Sequence, residues 1–439
     1  MAPHGLPPAR WPVDGAFVAI LTLAAVLRLA AVLWLADTVP YTDYFCYHEA
    51  ARMQAADWSF YFRRGAFASF GELHWWPPGY PFFLAALYSV FGPSFRLAAG
   101  VQILLGTLVC GLTGAIGARA AGRTIGLVAA FLVAVNPTYI FTTNLIASEN
   151  LFVVWLGLGL WLAGRAGPHP RRDAVLAGAS FGAAILTRAA GLWVPLVVAA
   201  WQLRQGRHAR PAAVALVTAC ALTLAPWTLR NAIVTGHPVL VCAGGGLNFY
   251  FGHHEGPLGY QDPATTPLAG LHDPAAIDRA GWALGWRTIV AHPFGFVTRG
   301  GRKLVALFAP PTYALHANSA ILIPDAGADP SLAPRAAAVR ARQAAKDALL
   351  HGVLKVLAAL HSYVLLGGAL VACGLAWRRL PGEFRLAAWL LLAWVGVHVL
   401  FWAQPRFRYP MEVPLALLAA WALVWPRADA AEVKRSEAP

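Results

Sequence analysis

Apolar stretches follow one another along this chain near residues 15–36, 95–118, 124–141, 146–164, 173–187, 190–203, 211–229, 351–377, 385–403 and 409–426. Several approach the ~20 residues that a helix needs to cross a bilayer. Two further segments look like crossings but break the pattern. "PPGYPFFLAALYSVFG" (77–92) opens on two prolines and holds too few apolar residues to span. "HPFGFVTRGGRKLVALFAPP" (292–311) carries Arg299, Arg302 and Lys303 in mid-run. Both are expected to lie along the membrane surface. The pattern therefore predicts an all-α polytopic protein of about ten transmembrane helices, with interfacial helices beside them.

The polar segments between the runs set an orientation. "GARAAGRT" (117–124), "GRAGPHPRRD" (164–173), "QLRQGRHAR" (202–210) and "WRRLPGEFR" (377–385) are basic and belong on the cytoplasmic side, as do both termini. Residues 37–94, 230–350 and the short turns 142–145, 188–189 and 404–408 then face out. The long outer segments exceed bare connections and are expected to cap a cavity. Three regions follow: a transmembrane module over 1–229 with a catalytic first outer loop (37–94), an extracytoplasmic cap over 230–350, and C-terminal helices with a cytoplasmic tail over 351–439. Within the cap, 313–348 is expected to include an amphipathic helix. The first run is too long for a signal-peptide core and no small-residue cleavage site stands behind it, so it reads as a retained anchor.

Composition agrees with the pattern. Of 439 residues, 58% are hydrophobic and only 12% charged, against about 25% charged in a soluble domain. The net charge of +14 sits in short clusters between apolar runs, with no basic stripe interleaved with aromatics, which argues against nucleic acid. Eighteen Trp suit the aromatic belts of a membrane interface. Five Cys cannot all pair. Cys110, Cys220 and Cys373 lie in apolar runs. A bridge between Cys46 and Cys242 is conceivable, but their spacing matches no disulfide or metal framework, and all five are expected to be free.

Ionisable residues crowd the outer side. "YTDYFCYHEAARM" (41–53) packs Asp43, His48, Glu49 and Arg52 just beyond the first crossing, and in a helix His48 and Arg52 would share a face. Such a stretch is either a solvated juxtamembrane helix or the seat of a base beside a membrane-embedded substrate. "ELHWWPPGYP" (72–81) forms a rigid interfacial elbow. "NPTYIFTTNLIASEN" (136–150) places Glu149 at a helix start, where a carboxylate is a dipole partner or a functional acid. Arg188, Arg230, Arg299, Arg302, Lys303, Arg406 and Arg408 sit where the positive-inside rule disfavours them, and planar guanidinium suits phosphate. "GHHEG" (252–256) lacks the further ligands of a metal site. The Gly-rich "CAGGGLNFYFG" (242–252) lacks the strand–loop–helix context of a nucleotide loop.

In order and spacing these pieces resemble the GT-C superfamily of polyprenyl-phosphate-sugar-dependent glycosyltransferases, and within it the bacterial relatives of the protein O-mannosyltransferases and the lipid A aminoarabinose transferase. The resemblance covers about residues 15–260, with an echo at 404–414. Its landmarks are "YTDYFCYHEAA", "PPGYPFFLAALYSVFG", "GARAAGRTIG", "NPTYIFTTNLIASEN", "LTRAAGLWVPL", "APWTLRNAIVTGHPV" and "QPRFRYPMEVP". It implies a GT-C fold in a bacterial inner membrane and transfer of a sugar, on the extracytoplasmic face, from a polyprenyl-phosphate donor to a lipid, glycan or protein hydroxyl. Lipopolysaccharide and protein glycosylation both fit.

In that reading Asp43 is the base, His48 tunes it, and Glu149 orients the acceptor or braces an arginine. Arg230, Arg406, Arg408 and Arg188 are the candidates for the donor phosphate. Tyr44, Glu49, Trp76 and Pro78 would line the substrate cavity, together with Tyr80, Asn248 and Tyr409. Many relatives carry an acidic pair in the first loop. Here Asp43 is followed by Tyr44 and Phe45, which favours a metal-independent mechanism and leaves a divalent cation as the open alternative. A single in-line displacement would invert the anomeric centre, since Glu49 is not placed to act as a second carboxylate beside the first. The rival readings are a lipid or solute transporter, for which Arg28 is the clearest charge deep within a span, and an inactive scaffold of the same fold.

Overall fold

The computed structural model describes residues 14–35, 43–62, 76–165, 169–254, 266–271, 273–309 and 350–436. The amphipathic segment expected within 313–348 lies outside the described residues. Every regular element among the described residues is helical. Helix α1 is Gly15–Trp34, α2 Asp43–Ala56, α3 Gly79–Phe91, α4 Phe95–Ala121, α5 Arg123–Ala134, α6 Pro137–Thr142, α7 Ser148–Ala163 and α8 Pro170–Thr187. Then come α9 (Val194–Leu203), α10 (Arg210–Thr235), α11 (Gly245–His253), α12 (Pro274–Ala291), α13 (Pro293–Phe308), α14 (Lys355–Leu375), α15 (Gly382–Leu400) and α16 (Glu412–Ser436).

Each apolar run forms a helix. The run at 124–141 divides into two because Pro137 has no amide hydrogen to continue α5. Asn136 ahead of it accepts from the backbone amides of Thr138 and Tyr139 and starts α6. Among the described residues, six helical segments are long and apolar enough to cross a membrane: Gly15–Trp34, Phe95–Ala121, Arg207–Thr235, Gly352–Leu375, Gly382–Leu400 and Pro405–Trp425. Ten crossings would also require α5, α7, α8 and α9. Helices α5, α7 and α9 have 12, 16 and 10 residues, too short at about 1.5 Å per residue to cover a ~30 Å hydrocarbon core on their own. Helix α8 starts on the polar "PRRD". The protein is an integral membrane protein. The two segments expected at the surface are the short α3 and the amphipathic α13.

The four basic turns gather at one end of the bundle. Arg119 donates to the Trp161 carbonyl, 2.6 Å, joining the first turn to the second. Trp201 donates to the Gly382 carbonyl, 3.1 Å, and Arg204 lies over the Trp389 ring, 4.7 Å from its centroid, joining the third to the fourth. At the same end Arg123 pairs with Asp14, the N-cap of α1.

Charges inside the bundle are spent on the backbone or on one another. Arg28 is fully buried. It donates to the carbonyls of Val133 and Ala134, 3.3 and 3.2 Å, the last turn of α5, where carbonyls have no partner within the helix. In an apolar setting such groups cost roughly several kcal/mol unless satisfied. Gly106 makes the room: a Cβ there would lie 2.6 Å from Arg28 Nε. The deepest charge of the first helix is therefore a cap for a neighbouring helix.

A second internal tie joins distant segments. Arg408 donates through Nε to Glu412, 2.9 Å, through Nη1 to the carbonyls of Phe308 and Ala309, 3.3 Å each, and through Nη2 to Ser362. The other Glu412 oxygen accepts from Asn136 Nδ2, 3.0 Å. Since removing one partner strands the other in an apolar core, Glu412→Ala should destabilise the fold by about 3–5 kcal/mol. Reversible unfolding of the detergent-purified protein measures this, and a variant as stable as the parent would refute the structural role.

Candidate active site at the helix ends

Helix α2 presents Tyr44, Tyr47 and Ala51 on one face, the spacing of three to four that lines up side chains on a helix. That face packs on Tyr80, Leu84 and Tyr88 of α3 and on Leu145, Ile146 and Ala147 of the loop ahead of α7. Gln102 of α4 holds the loop in place. Its Nε2 donates to the carbonyls of Leu145 and Ala147, 3.3 and 2.8 Å, and to Tyr80 Oη, 2.8 Å. Gly79, at the start of α3, rests against α8: a Cβ there would lie 2.8 Å from the Leu186 carbonyl oxygen. This contact sets α3 beside the end of α8, where Arg188 follows.

Glu149 stands in the first turn of α7 with its side chain 2% exposed. One of its oxygens takes Arg188 Nη1 at 3.0 Å and also Arg406 Nε. Arg188 further donates to Ser148 Oγ, 3.0 Å, and Tyr47 Oη lies 3.4 Å from that hydroxyl. Arg406 stacks over the Tyr44 ring, 5.2 Å from its centroid. One carboxylate thus faces two guanidiniums. The cluster's remaining valences point to a guest: Glu149 Oε2, Arg188 Nε and Asn150 Nδ2 are buried and hydrogen-bond to no protein atom.

The other expected site residues are distributed around this cluster. Asp43 is the first residue of α2, so its backbone is one residue from the Tyr44 ring that carries Arg406. His48 turns the other way. It lies about 140° around the helix from Asp43 at 3.6 residues per turn, stacks on Phe95 at 4.0 Å and has Nδ1 2.9 Å from Tyr88 Oη. That placement does not suit it to tune Asp43. Arg52 pairs with Glu49, 2.7 Å, one turn apart, rather than sharing work with His48. Trp76 and Tyr80 pack on Tyr47 at 6.1 and 5.2 Å, and Pro78 precedes α3, buried.

Of the cations expected to meet phosphate, Arg188 and Arg406 come together. Arg408 is occupied by the internal tie described above. Arg230 is elsewhere again: it donates to the Tyr61 carbonyl, 2.6 Å, and to Asn231, 2.9 Å, and lies over the Trp227 ring at 4.7 Å. Asn248 folds back on the Gly244 carbonyl, 2.7 Å. Tyr409 lies beneath the cluster, its hydroxyl on Asn150 and its ring 4.1 Å from Tyr139. Among the described residues no group of three His, Cys, Asp or Glu is placed to hold a metal ion, and the five cysteines are free thiols. Gln102, Ser148 and Asn150 are absent from the expected set. A lone amide in an apolar run was the available signal for Gln102.

The model of the dolichyl-phosphate-mannose-protein mannosyltransferase family matches residues 76–229, about a third of the chain, which includes α3, the Gln102-held loop, Glu149 and Arg188. Two structures of the oligosaccharyltransferase from Archaeoglobus fulgidus superpose over nearly all of it. The apo form gives a TM-score of 0.56 at 15% identity, covering 97% of this chain and 52% of that one. Its form AglB, in complex with an inhibitory peptide and a dolichol-phosphate, gives 0.54 at 15%, covering 98% and 52%. The chain has the GT-C fold. It spans about half the length of the oligosaccharyltransferase chains it matches. ArnT from Cupriavidus metallidurans, bound to undecaprenyl phosphate, aligns at 15% identity over 95% of this chain and 79% of that one, with a TM-score of 0.43. No curated protein sequence matches the chain.

Within this GT-C fold the cluster is testable by coupling. Glu149→Gln removes the carboxylate that Arg188 and Arg406 share and should cost about 3–5 kcal/mol. Adding Arg188→Gln should return part of that, with a coupling of about 1–3 kcal/mol, whereas additive losses would mean that the pair is not interacting. Burial also pushes the His48 imidazole below its usual 6.5, against the pull of Glu49. The folded protein then keeps His48 neutral while the unfolded chain protonates, so this contribution is present above pH 6.5 and is lost as pH falls below it. Replacing His48 with Phe should flatten the acid limb of the stability profile, and an unchanged limb would refute the assignment.

Proposed function

We propose that this protein is a membrane glycosyltransferase that moves a sugar from a polyprenyl-phosphate donor to an acceptor hydroxyl on the extracytoplasmic face of a bacterial inner membrane. The observation that carries the reading is the pair of guanidiniums on Glu149, one of which, Arg406, stacks on Tyr44, the residue after Asp43. A base and a phosphate clamp are then adjacent at the end of the bundle opposite the basic turns. The match to a family named for a dolichyl-phosphate-mannose donor supports it. So does the fold shared with a protein whose structure holds a dolichol-phosphate.

The chemistry follows from the placement. The donor phosphate lies against Arg188 and Arg406, whose charge and N–H groups are set before reaction in a site screened from water, where such groups act most strongly. The acceptor oxygen attacks the anomeric carbon while its proton passes to the Asp43 carboxylate. The bond from that carbon to the phosphate oxygen breaks with its electron pair leaving on the phosphate, and the guanidiniums take up the charge. A single displacement inverts the anomeric centre, with no metal step required. Glu149, already committed to both arginines, braces them rather than taking the proton. Transport is the weaker reading because Arg28 caps α5 instead of lining a path.

The test is sugar transfer by purified protein supplied with polyprenyl-phosphate sugars, read as release of polyprenyl phosphate. Asp43→Asn keeps the shape and removes the base, and should lower the rate by about 10²–10⁴-fold, the usual worth of a positioned base. Arg406→Ala should weaken donor binding as well as turnover. Transfer by Asp43→Asn at the parent rate would exclude Asp43 as base, and no consumption of donor by the parent across a broad panel would overturn the assignment.

A further inference from the structure

Helix α13 has its polarity inverted with respect to the protein. Phe294, Val297 and Val305 are 87%, 68% and 73% exposed, while Lys303 is fully buried. On a helical projection the three apolar residues share one side, and Lys303 and Arg299 occupy the opposite one. Such a helix in water would turn over. Against a bilayer surface its outer face is at home among acyl chains; Lys303 and Arg299 are held against the protein, while Arg302 stays exposed.

The buried side is cationic and has no counter-charge. Lys303 Nζ donates to the Val399 carbonyl, 2.8 Å, and His253 Nε2, from α11, lies 2.6 Å from the Leu400 carbonyl oxygen. These contacts close the C-terminal end of α15, a bland role that accounts for one nitrogen on each side chain. They leave His253 Nδ1 and both Nε and Nη2 of Arg299 buried with no hydrogen-bond partner. Among the described residues no carboxylate pairs with Arg299, Lys303 or His253. Gly295 leaves the space that the guanidinium occupies, for a Cβ there would lie 3.0 Å from Arg299 Nη1. Burial and the charge of Arg299 together push the Lys303 ammonium down to about 7. Positive groups collected without an anion in a dry place favour an anion from outside.

We propose that Arg299, Lys303 and His253 form a second anion site that takes the phosphate headgroup of a membrane phospholipid, whose chains lie along the Phe294, Val297 and Val305 face of α13. The site is built from α11, α13 and the end of α15, and it shares no residue with the Glu149 cluster. A phosphate ester supplies acceptors for the two unpartnered nitrogens of Arg299, and a proton drawn onto His253 Nδ1 by the bound anion adds a third donor. The outward apolar face supplies the contact that a free ion would not use, which selects a lipid over a soluble phosphate.

The experiment uses the full chain in neutral detergent. It is titrated separately with phosphatidylglycerol, with diacylglycerol and with inorganic phosphate, and retained lipid is read by native mass spectrometry alongside the unfolding temperature. The parent should retain phosphatidylglycerol, and Arg299→Gln should weaken that retention about tenfold, the loss of one charge-assisted contact. Arg204→Gln, at the opposite end of the bundle, should leave it unchanged. Should Arg299→Gln fail to fold, Gly295→Leu displaces the guanidinium without removing a charge or a buried side chain and must give the same loss. Equal retention by these variants and the parent overturns the site. Equal binding of diacylglycerol reduces the contact to its apolar face and refutes phosphate recognition. Displacement of the lipid by inorganic phosphate would make it a free-anion site and refute the lipid assignment. Because the readout is binding, the result stands whether or not the protein transfers a sugar.

Discussion

A carboxylate cannot be buried among apolar helices unless its charge is met, and the meeting of Glu149 with Arg188 and Arg406 is the constraint on which the outer end of this molecule depends. The three side chains come from the start of α7, the residue after α8 and the segment ahead of α16. To bring them within hydrogen-bond reach, α3 must lie against the end of α8, which Gly79 permits, and the loop before α7 must be held, which Gln102 does. Two guanidiniums meeting one carboxylate beside the first residue of α2 make a candidate site of what would otherwise be a structural ion pair.

The same physics separates structural charges from those with unspent capacity. Arg28 satisfies carbonyls at the end of α5, and Arg408 distributes its donors over Glu412, Ser362 and two backbone oxygens. Of these donors only Arg28 Nε is buried without a partner. Around Glu149 and on the inner side of α13 such atoms lie three together. A buried polar atom left open is costly, so such atoms mark places where the completed assembly includes something more than the chain. One set adjoins the proposed base, and the other lies beneath a helix whose apolar face looks outward.

The two sets are linked through backbone. Helix α15 ends at Leu400, where Lys303 and His253 close its carbonyls, and the chain then runs through Trp402 and Pro405 to Arg406. The surface helix and the candidate active site are therefore fastened to the ends of one short connection. In a bilayer, where loops cannot draw on water to satisfy their backbone, fastening of this kind is what keeps irregular segments in one conformation.

Much of the fold was legible in the linear pattern, because burial in lipid imposes long apolar runs and confines basic turns to one side. Each run became a helix, the two interrupted runs became the short α3 and the amphipathic α13, and the ordered landmarks pointed to the GT-C fold. Chemistry was legible at the level of neighbourhood: Asp43, Tyr44, Glu149, Arg188 and Arg406 stood in segments rich in ionisable groups outside the spans. Which arginine meets which acid was not. Arg406 and Arg408 look alike along the chain, yet Arg408 is consumed by Glu412 four residues on, while Arg406 joins Glu149 across 257 residues, a pairing that only helix packing decides. The inward turn of Lys303, the rotation of His48 away from Asp43 and the grip of Gln102 on its loop likewise depend on which neighbour each helix face meets. The sequence by itself determined the elements and the separation of basic turns from apolar spans, since these follow from local hydropathy. Only the tertiary structure decided which charges are neutralised and which stay open, since that depends on contacts between segments that local composition does not encode.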